Sequence, residues 1–300
     1  MKKFYIELDS ACPVKCRVCH KHKVAKKSEN NLLSLEEIKK AIDKFHIHDF
    51  QCIRITGCEP ALNEHFEEIT NRIHYMKMKK YINTTLAFCD LELMSPLMFF
   101  DEVSVNLASV NEEYAEFYGK DLFHVVDKNL RLLLSVSSGK IVLHYVVSYD
   151  NSVNHLLLQF YAYVCSLHNK EKLQISFFPA IDCTGKMWEE KITRAKTNFA
   201  VENVKDLFLK RGINAKWVPN FGGERRQACS IGRKFYMDKY GDIYPCPNVA
   251  GEYGFPVKGK MALGRFGQSK FAEIIRGRTL NFNCKNCTPE RWDFRQSEFV

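Results

Sequence analysis

Strand-like and helix-like stretches alternate from residue 4 to residue 211, and that alternation restricts the fold more than any other feature. Phe4, Ile6 and Leu8 alternate with Tyr5 and Glu7, as a strand with one covered face requires. Ser34 followed by Glu37 predicts a capped helix start, and Leu35, Ile38, Ile42 and Phe45 then recur at helical spacing. Further strands are predicted at 52–56, 81–88, 103–107, 141–148 and 173–179. Helical patterns separate them, on Phe66, Ile69, Ile73 and Met76 and then over 125–136, 154–168 and 199–211. Repeated β-α units build a parallel sheet with right-handed crossovers. Six such strands fall short of the eight of a closed TIM barrel. The expected fold class is therefore α/β, a partial and open (β/α)6 TIM-like barrel.

The pattern changes near residue 220, where Asn220-Phe221-Gly222-Gly223 reads as a linker. The division expected is a barrel over 1–219 and a small second domain over 220–300. In the second part, strands at 234–237 and 243–244 flank Asp238-Lys239-Tyr240-Gly241, a hairpin signal with Gly at the turn. A Gly- and Pro-rich stretch at 247–264 and a short helix at 270–276 follow. This end has few apolar residues, so a metal site is expected to supply the missing stability.

The chain carries 12 cysteines. The longest apolar run, 156–167, is interrupted by Gln159 and falls short of the roughly 18 residues of a membrane span. Glu7 and Asp9 break any secretory signal core, so the expected compartment is the cytoplasm, where thiols stay reduced. The cysteines then need a reason other than disulfides. A formal net charge of +9 suits an anionic partner without naming one.

Cys12, Cys16 and Cys19 form a C-x3-C-x2-C loop directly after the first strand. Three thiolates at this spacing can hold three irons of a [4Fe-4S] cluster and leave the fourth iron open. The same spacing with His20 or His22 as fourth ligand would make a zinc knuckle. The position favours the cluster, because sites of parallel α/β proteins lie at the carboxyl ends of the strands. Thr56-Gly57-Cys58-Glu59-Pro60 falls at the same end of the second strand.

In these two motifs the chain resembles the radical SAM (S-adenosylmethionine) superfamily. The cysteine loop is similar to that family's signature, and Gly57-Cys58-Glu59-Pro60 is similar to its Gly-Gly-Glu-Pro motif, with Cys58 in place of the second glycine. The resemblance covers roughly residues 4–215. It implies that Cys12, Cys16 and Cys19 bind the cluster and that Gly57, Cys58, Glu59 and Pro60 meet the amino group of S-adenosylmethionine through backbone carbonyls. It implies that Val18 lies beside the adenine, where the family has an aromatic side chain. Ser104 and Asn106 are candidates by position for the ribose hydroxyls and Val147 for the adenine wall, with core packing as an equal reading of Val147. The implied chemistry is reductive cleavage of S-adenosylmethionine to a 5′-deoxyadenosyl radical that abstracts a substrate hydrogen atom.

Cys229, Cys246, Cys284 and Cys287 make a C-x11-G-x4-C hairpin followed by C-x2-C. The spacing alone suits zinc or iron–sulfur. Beside a radical SAM core it resembles the Twitch domain, a short form of the SPASM domain, and implies a second, fully ligated [4Fe-4S] cluster. Among the remaining cysteines, Cys52, Cys89 and Cys165 read as small buried residues and Cys58 as a tolerated substitution. Asp182 or Cys183, after the sixth strand, is a candidate proton acceptor or hydrogen-atom donor, with a plain loop as the simpler reading. The run Lys21, Lys23, Lys26 and Lys27 reads as a solvated face near the site.

The expected substrate is a ribosomally made peptide, with a small hydroxylated metabolite as the alternative. The chain starts at the first strand, so a peptide would call for a separate recognition protein or a bare-peptide binding groove. The C-terminus lacks the Gly-Gly tail of the molybdopterin-pathway cyclase, which sets the expectation against that activity. An external electron donor such as flavodoxin or ferredoxin is expected. The rival reading is a non-catalytic zinc protein binding nucleic acid; charge supports it, but no base-stacking stripe does.

Overall fold

The computed structural model describes residues 2–8, 11–19, 32–48, 50–180, 191–217, 234–244 and 263–267. Asp182, Cys183, Cys229, Cys246, Cys284, Cys287, His20, His22, the lysines at 21–27 and the helix expected at 270–276 lie outside them.

In chain order the elements are β1 (Lys3–Leu8), α1 (Leu35–Ile47), β2 (Cys52–Gly57), α2 (Phe66–His74), β3 (Lys79–Thr84), α3 (Met94–Leu97), β4 (Glu102–Asn106), α4 (Glu113–Tyr118), α5 (Phe123–Val136), β5 (Lys140–Val147), α6 (Asn154–Ser166), β6 (Leu173–Pro179), α7 (Lys191–Lys210), β7 (Asn214–Trp217), β8 (Lys234–Met237), β9 (Asp242–Tyr244) and β10 (Gly264–Arg265). They form one sheet of order β10-β9-β8-β1-β2-β3-β4-β5-β6-β7. From β1 to β7 each strand pairs in parallel with the next, as the β-α alternation requires. β7 and β10 are its two edges, so among the described residues the barrel is open.

The hairpin expected at 234–244 forms and extends this same sheet: β8 lies parallel to β1, with Tyr5 opposite Tyr236, and β9 returns antiparallel. Tyr236 donates a hydrogen bond to Glu7 at 2.6 Å. The Leu33 N–H donates to the Lys239 carbonyl at 3.0 Å, tying the hairpin turn to the start of α1. β7 was not expected, because only Ala215 and Trp217 mark its covered face.

Strand alternation puts Phe4, Ile6 and Leu8 beneath the helices, with Phe4 stacked on Phe45 of α1 and edge-on to Phe50. The same parity buries Tyr145 and Phe177 against Phe160 of α6 and Phe208 of α7. Truncating such a ring costs about 3–5 kcal/mol. Because the helices cover one face, the other parity lines the inside of the open barrel. There the register aligns Tyr5, Arg54, Tyr81, Glu102 and Lys140 in one row and Asn106, His144, Ser176 and Lys216 in a higher one. The core is apolar outside and the chamber polar inside.

β3 stops at Thr84, short of the predicted end at 88. The Thr85 N–H donates to the Glu59 carboxylate at 2.6 Å, and Leu86 turns into the left-handed region at φ 56°. A polar claim on the backbone ended the strand early.

Candidate active site

The cysteine loop leaves β1 at the carboxyl end of the sheet and is strapped to α4. The Lys15 N–H donates to the Tyr118 carbonyl at 2.8 Å and the Arg17 N–H to the Phe117 carbonyl at 3.0 Å. Arg17 adds an ion pair to Glu116 at 2.8 Å. Gly119 closes α4 with φ 70°, and a Cβ there would meet Lys15 at 3.4 Å. The glycine thus permits both the left-handed turn and the close approach of the loop.

Cys12, Cys16 and Cys19 are all partly buried. Burial pushes the Cys12 thiol up to about 11, with Cys58, Cys19 and Glu59 adding to the push. Burial, then Cys19 and Cys12, raise Cys16 as well. Such thiols resist ionising together unless a cation joins them, and metal coordination deprotonates a thiol outright. An iron–sulfur cluster takes its thiolates at separate irons, and the three cysteines suit it. Tyr114 adds an observation of its own. Its hydroxyl is fully buried, lacks a hydrogen-bond partner among the described residues and interacts electrostatically with Cys16, Cys12 and Glu59. A buried orphan hydroxyl costs about 1–3 kcal/mol, a penalty a cluster sulfur would relieve.

The second motif lies beside this loop, because Leu8 of β1 pairs with Gly57 of β2. Gly57 has φ 153°, a backbone that side chains disfavour. Glu59 is 0% exposed and turned away from solvent. It accepts from Thr84 Oγ1 at 2.8 Å, Thr85 N at 2.6 Å, Thr85 Oγ1 at 2.5 Å and Ala61 N at 3.4 Å. Burial raises its carboxyl and these donors pull it back. Pro60 begins a 3-10 turn whose N-cap is Glu59. Leu86 is held in turn by Asn129, which donates to the Leu86 carbonyl at 2.9 Å and the Phe88 carbonyl at 2.8 Å. The loops after β2 and β3 are thereby locked together.

Among the other expected contacts, Val18 is half-buried on the cysteine loop, packed at the edge of the core. Asn106 ends β4 with its side chain on the inner face, partly exposed. Ser104 corrects the expectation: it is 0% exposed, accepts from Arg54 Nη1 at 2.9 Å and donates to Glu102 at 3.2 Å. The hydroxyl is spent on the chamber's floor. Strand alternation places Val147 in the core, the alternative reading for it, and Val146 faces the chamber.

The floor was missed by sequence reading, although a lone arginine in the apolar strand Cys52–Gly57 marked it. Arg54 pairs with Glu102 at 2.5 Å, bonds Asn83 at 2.6 Å and lies over the Tyr81 ring at 4.9 Å. Burial opposes ionisation of Glu102, yet Arg54 holds its carboxyl below the usual range. Two inward rows above, burial and the Arg54 charge push His144 down to about 3, so it is neutral at pH 7. Burial, then Lys140, lowers Lys216. A cleft of about 480 Å³ lined by Tyr81, Glu102 and Lys140 opens at the amino ends of the strands, away from the cysteine loop.

A thiol trio and a glycine–glutamate loop thus lie at the carboxyl ends of adjacent parallel strands of an α/β fold, above a polar chamber. The sequence profile described as the Radical SAM superfamily matches residues 6–156, and the chain belongs to that superfamily. Membership implies S-adenosylmethionine and a [4Fe-4S] cluster as cofactors. Curated relatives include a probable GTP 3′,8-cyclase of Saccharolobus islandicus, 26% identical over 149 residues, 49% of this chain and 48% of that protein. The GTP 3′,8-cyclase of a Synechocystis species is 26% identical over 151 residues, 49% of this chain and 46% of that one. The chain thus spans about half the length of the curated relatives it matches. Among solved structures, SuiB of Streptococcus suis bound to precursor peptide SuiA superposes with a TM-score of 0.68 at 15% identity, over 96% of this chain and 70% of that one. Native anSMEcpe with bound AdoMet gives 0.65 at 17% identity, over 91% and 79%. These likenesses establish the partial-barrel fold. Among the described residues no helix is long and apolar enough to cross a membrane.

Proposed function

We propose that this radical SAM enzyme modifies a ribosomally made peptide in the chamber above the Arg54–Glu102 floor. The observation that carries the enzymatic reading is the cysteine loop strapped to α4 beside the locked 57–60 turn. The bound cofactors supply one electron and, from S-adenosylmethionine, a 5′-deoxyadenosyl radical for hydrogen abstraction.

In this reading Cys12, Cys16 and Cys19 hold the cluster. The 57–60 turn presents its backbone to S-adenosylmethionine, with Glu59 fixing the turn from behind. Asn106 meets the ribose and Val18 borders the adenine. His144, neutral and edge-on to Phe178 at 5.3 Å, faces the chamber without adding charge. The peptide assignment draws support from SuiB, whose structure holds a precursor peptide. The Twitch-type assignment of Cys229, Cys246, Cys284 and Cys287, a second cluster within 220–300, an external flavodoxin- or ferredoxin-like donor and a separate recognition protein belong to the same proposal.

A second reading, a small anionic or hydroxylated metabolite, is favoured by the cation Lys216 on the inner face and by the relatives named GTP 3′,8-cyclase. The test is 5′-deoxyadenosine release by reconstituted enzyme given GTP or short peptides encoded beside its gene. Stimulation by a peptide with mass loss or cross-linking in that peptide supports the first reading. Stimulation by GTP alone overturns it.

A further inference from the structure

Cys58 stands where the family motif carries a glycine, and the site does not need a side chain there for backbone contacts. The pairing of Leu8 with Gly57 sets residue 58 directly beside the point where the cysteine loop leaves β1. Its place is fixed from both sides, by the β2 ladder before it and by the buried Glu59 after it. The side chain is partly exposed on the site face, as Cys12, Cys16 and Cys19 are. Cys58 acts on the Cys12 thiol more strongly than Cys19 does, and it also acts on Cys16. The strand register thus brings Cys58 beside the loop that carries Cys12 and Cys16. The orphan Tyr114 hydroxyl, buried beside Cys16 and Cys12, points to an acceptor lodged at those thiols.

We propose that Cys58 ligates the fourth iron of the cluster held by Cys12, Cys16 and Cys19 while S-adenosylmethionine is absent, and is displaced when it binds. This rests on the cluster reading above. Thiolate is a soft ligand that iron accepts in preference to water. The exchange needs no electron: the iron–sulfur bond to Cys58 breaks, iron bonds to the amino nitrogen and a carboxylate oxygen form, and the released thiolate takes a proton from solvent. The device would cap an otherwise exposed iron against loss and oxidation until the cosubstrate arrives.

The test uses the full chain, reconstituted anaerobically with ⁵⁷Fe and without S-adenosylmethionine, as wild type, Cys58→Gly and Cys58→Ser. After limited ferricyanide oxidation, the three-iron cluster is quantified by electron paramagnetic resonance. The wild type is expected to yield about tenfold less of it than Cys58→Gly. Mössbauer spectra are expected to show a distinct, non-sulfur-ligated iron in Cys58→Gly and in wild type only after S-adenosylmethionine is added. Equal three-iron yields, or a distinct iron in untreated wild type, overturn the proposal. The Cys12/Cys16/Cys19 triple alanine separates the two claims. If it keeps the wild-type iron content, the cluster reading itself fails; if it loses about four irons while Cys58→Gly matches wild type, only the Cys58 proposal fails.

Discussion

Glu59 is the residue whose replacement most clearly separates positioning from contact. Its Oε2 accepts from the Thr85 N–H and hydroxyl, and its Oε1 from the Thr84 hydroxyl and the Ala61 N–H. In Glu59→Gln the amide fits best with its oxygen on Thr85 and its NH2 toward Thr84 Oγ1, which can accept. That arrangement forfeits the long Ala61 bond and the negative charge, about 2 kcal/mol. Glu59→Ala strands the buried Thr85 N–H and both hydroxyls and opens a cavity, about 3–5 kcal/mol. The released Thr84–Thr85 segment then frees the strained Leu86, and the 57–60 turn loses its anchor. Urea unfolding of the apoprotein measures the stability loss, and calorimetric titration of the reconstituted protein measures S-adenosylmethionine binding. The account expects the alanine variant to weaken binding by about tenfold and glutamine by less. An alanine variant within about 0.5 kcal/mol of wild type, with unchanged binding, refutes the reasoning.

Tyr114→Phe removes an orphan hydroxyl, so the apoprotein should gain about 1 kcal/mol in urea unfolding, while the reconstituted cluster shifts to a more negative midpoint in a redox titration. Gly119→Ala forces a left-handed alanine against Lys15 and should cost about 1–2 kcal/mol, read by thermal unfolding. Arg54→Met leaves Glu102 unpaired in the floor and should cost about 3–5 kcal/mol, with Arg54→Met/Glu102→Gln recovering part of it. His144 has its folded pKa depressed to about 3 by burial, so its contribution is complete above the unfolded value near 6.5 and is lost progressively as pH falls toward 3. His144→Phe should flatten the pH dependence of urea midpoints in that window.

The covered face of the sheet was legible because each strand shows its apolar parity: Phe4, Ile6 and Leu8, or Ile141 and Leu143, announce themselves. The Ser34–Glu37 capping box forms as its spacing requires. The cysteine loop and the 57–60 turn stood out because both fall at the carboxyl ends of adjacent strands and together resemble the superfamily's motifs, although the cysteine spacing alone suits zinc as well. The chamber was not, because its residues are brought together only by register. Nothing near Arg54 in sequence announces Glu102 or Ser104, and Ser104 looks like any ligand-facing hydroxyl until the arginine reaches it. Of the two readings of Val147 the core one holds, because alternate residues of a strand face opposite sides. Tyr114 and Tyr118 share an i, i+4 face of a helix too short to show periodicity, so their stacking behind the cysteine loop was invisible.

The most direct test is iron and sulfide content together with 5′-deoxyadenosine formation, after anaerobic reconstitution and reduction in the presence of S-adenosylmethionine. Wild type and the Cys12/Cys16/Cys19 triple alanine are compared. The account predicts that the triple variant loses about four irons and their sulfide and forms no deoxyadenosine. Zinc in place of iron, no acid-labile sulfide and no cleavage of S-adenosylmethionine by wild type would contradict it.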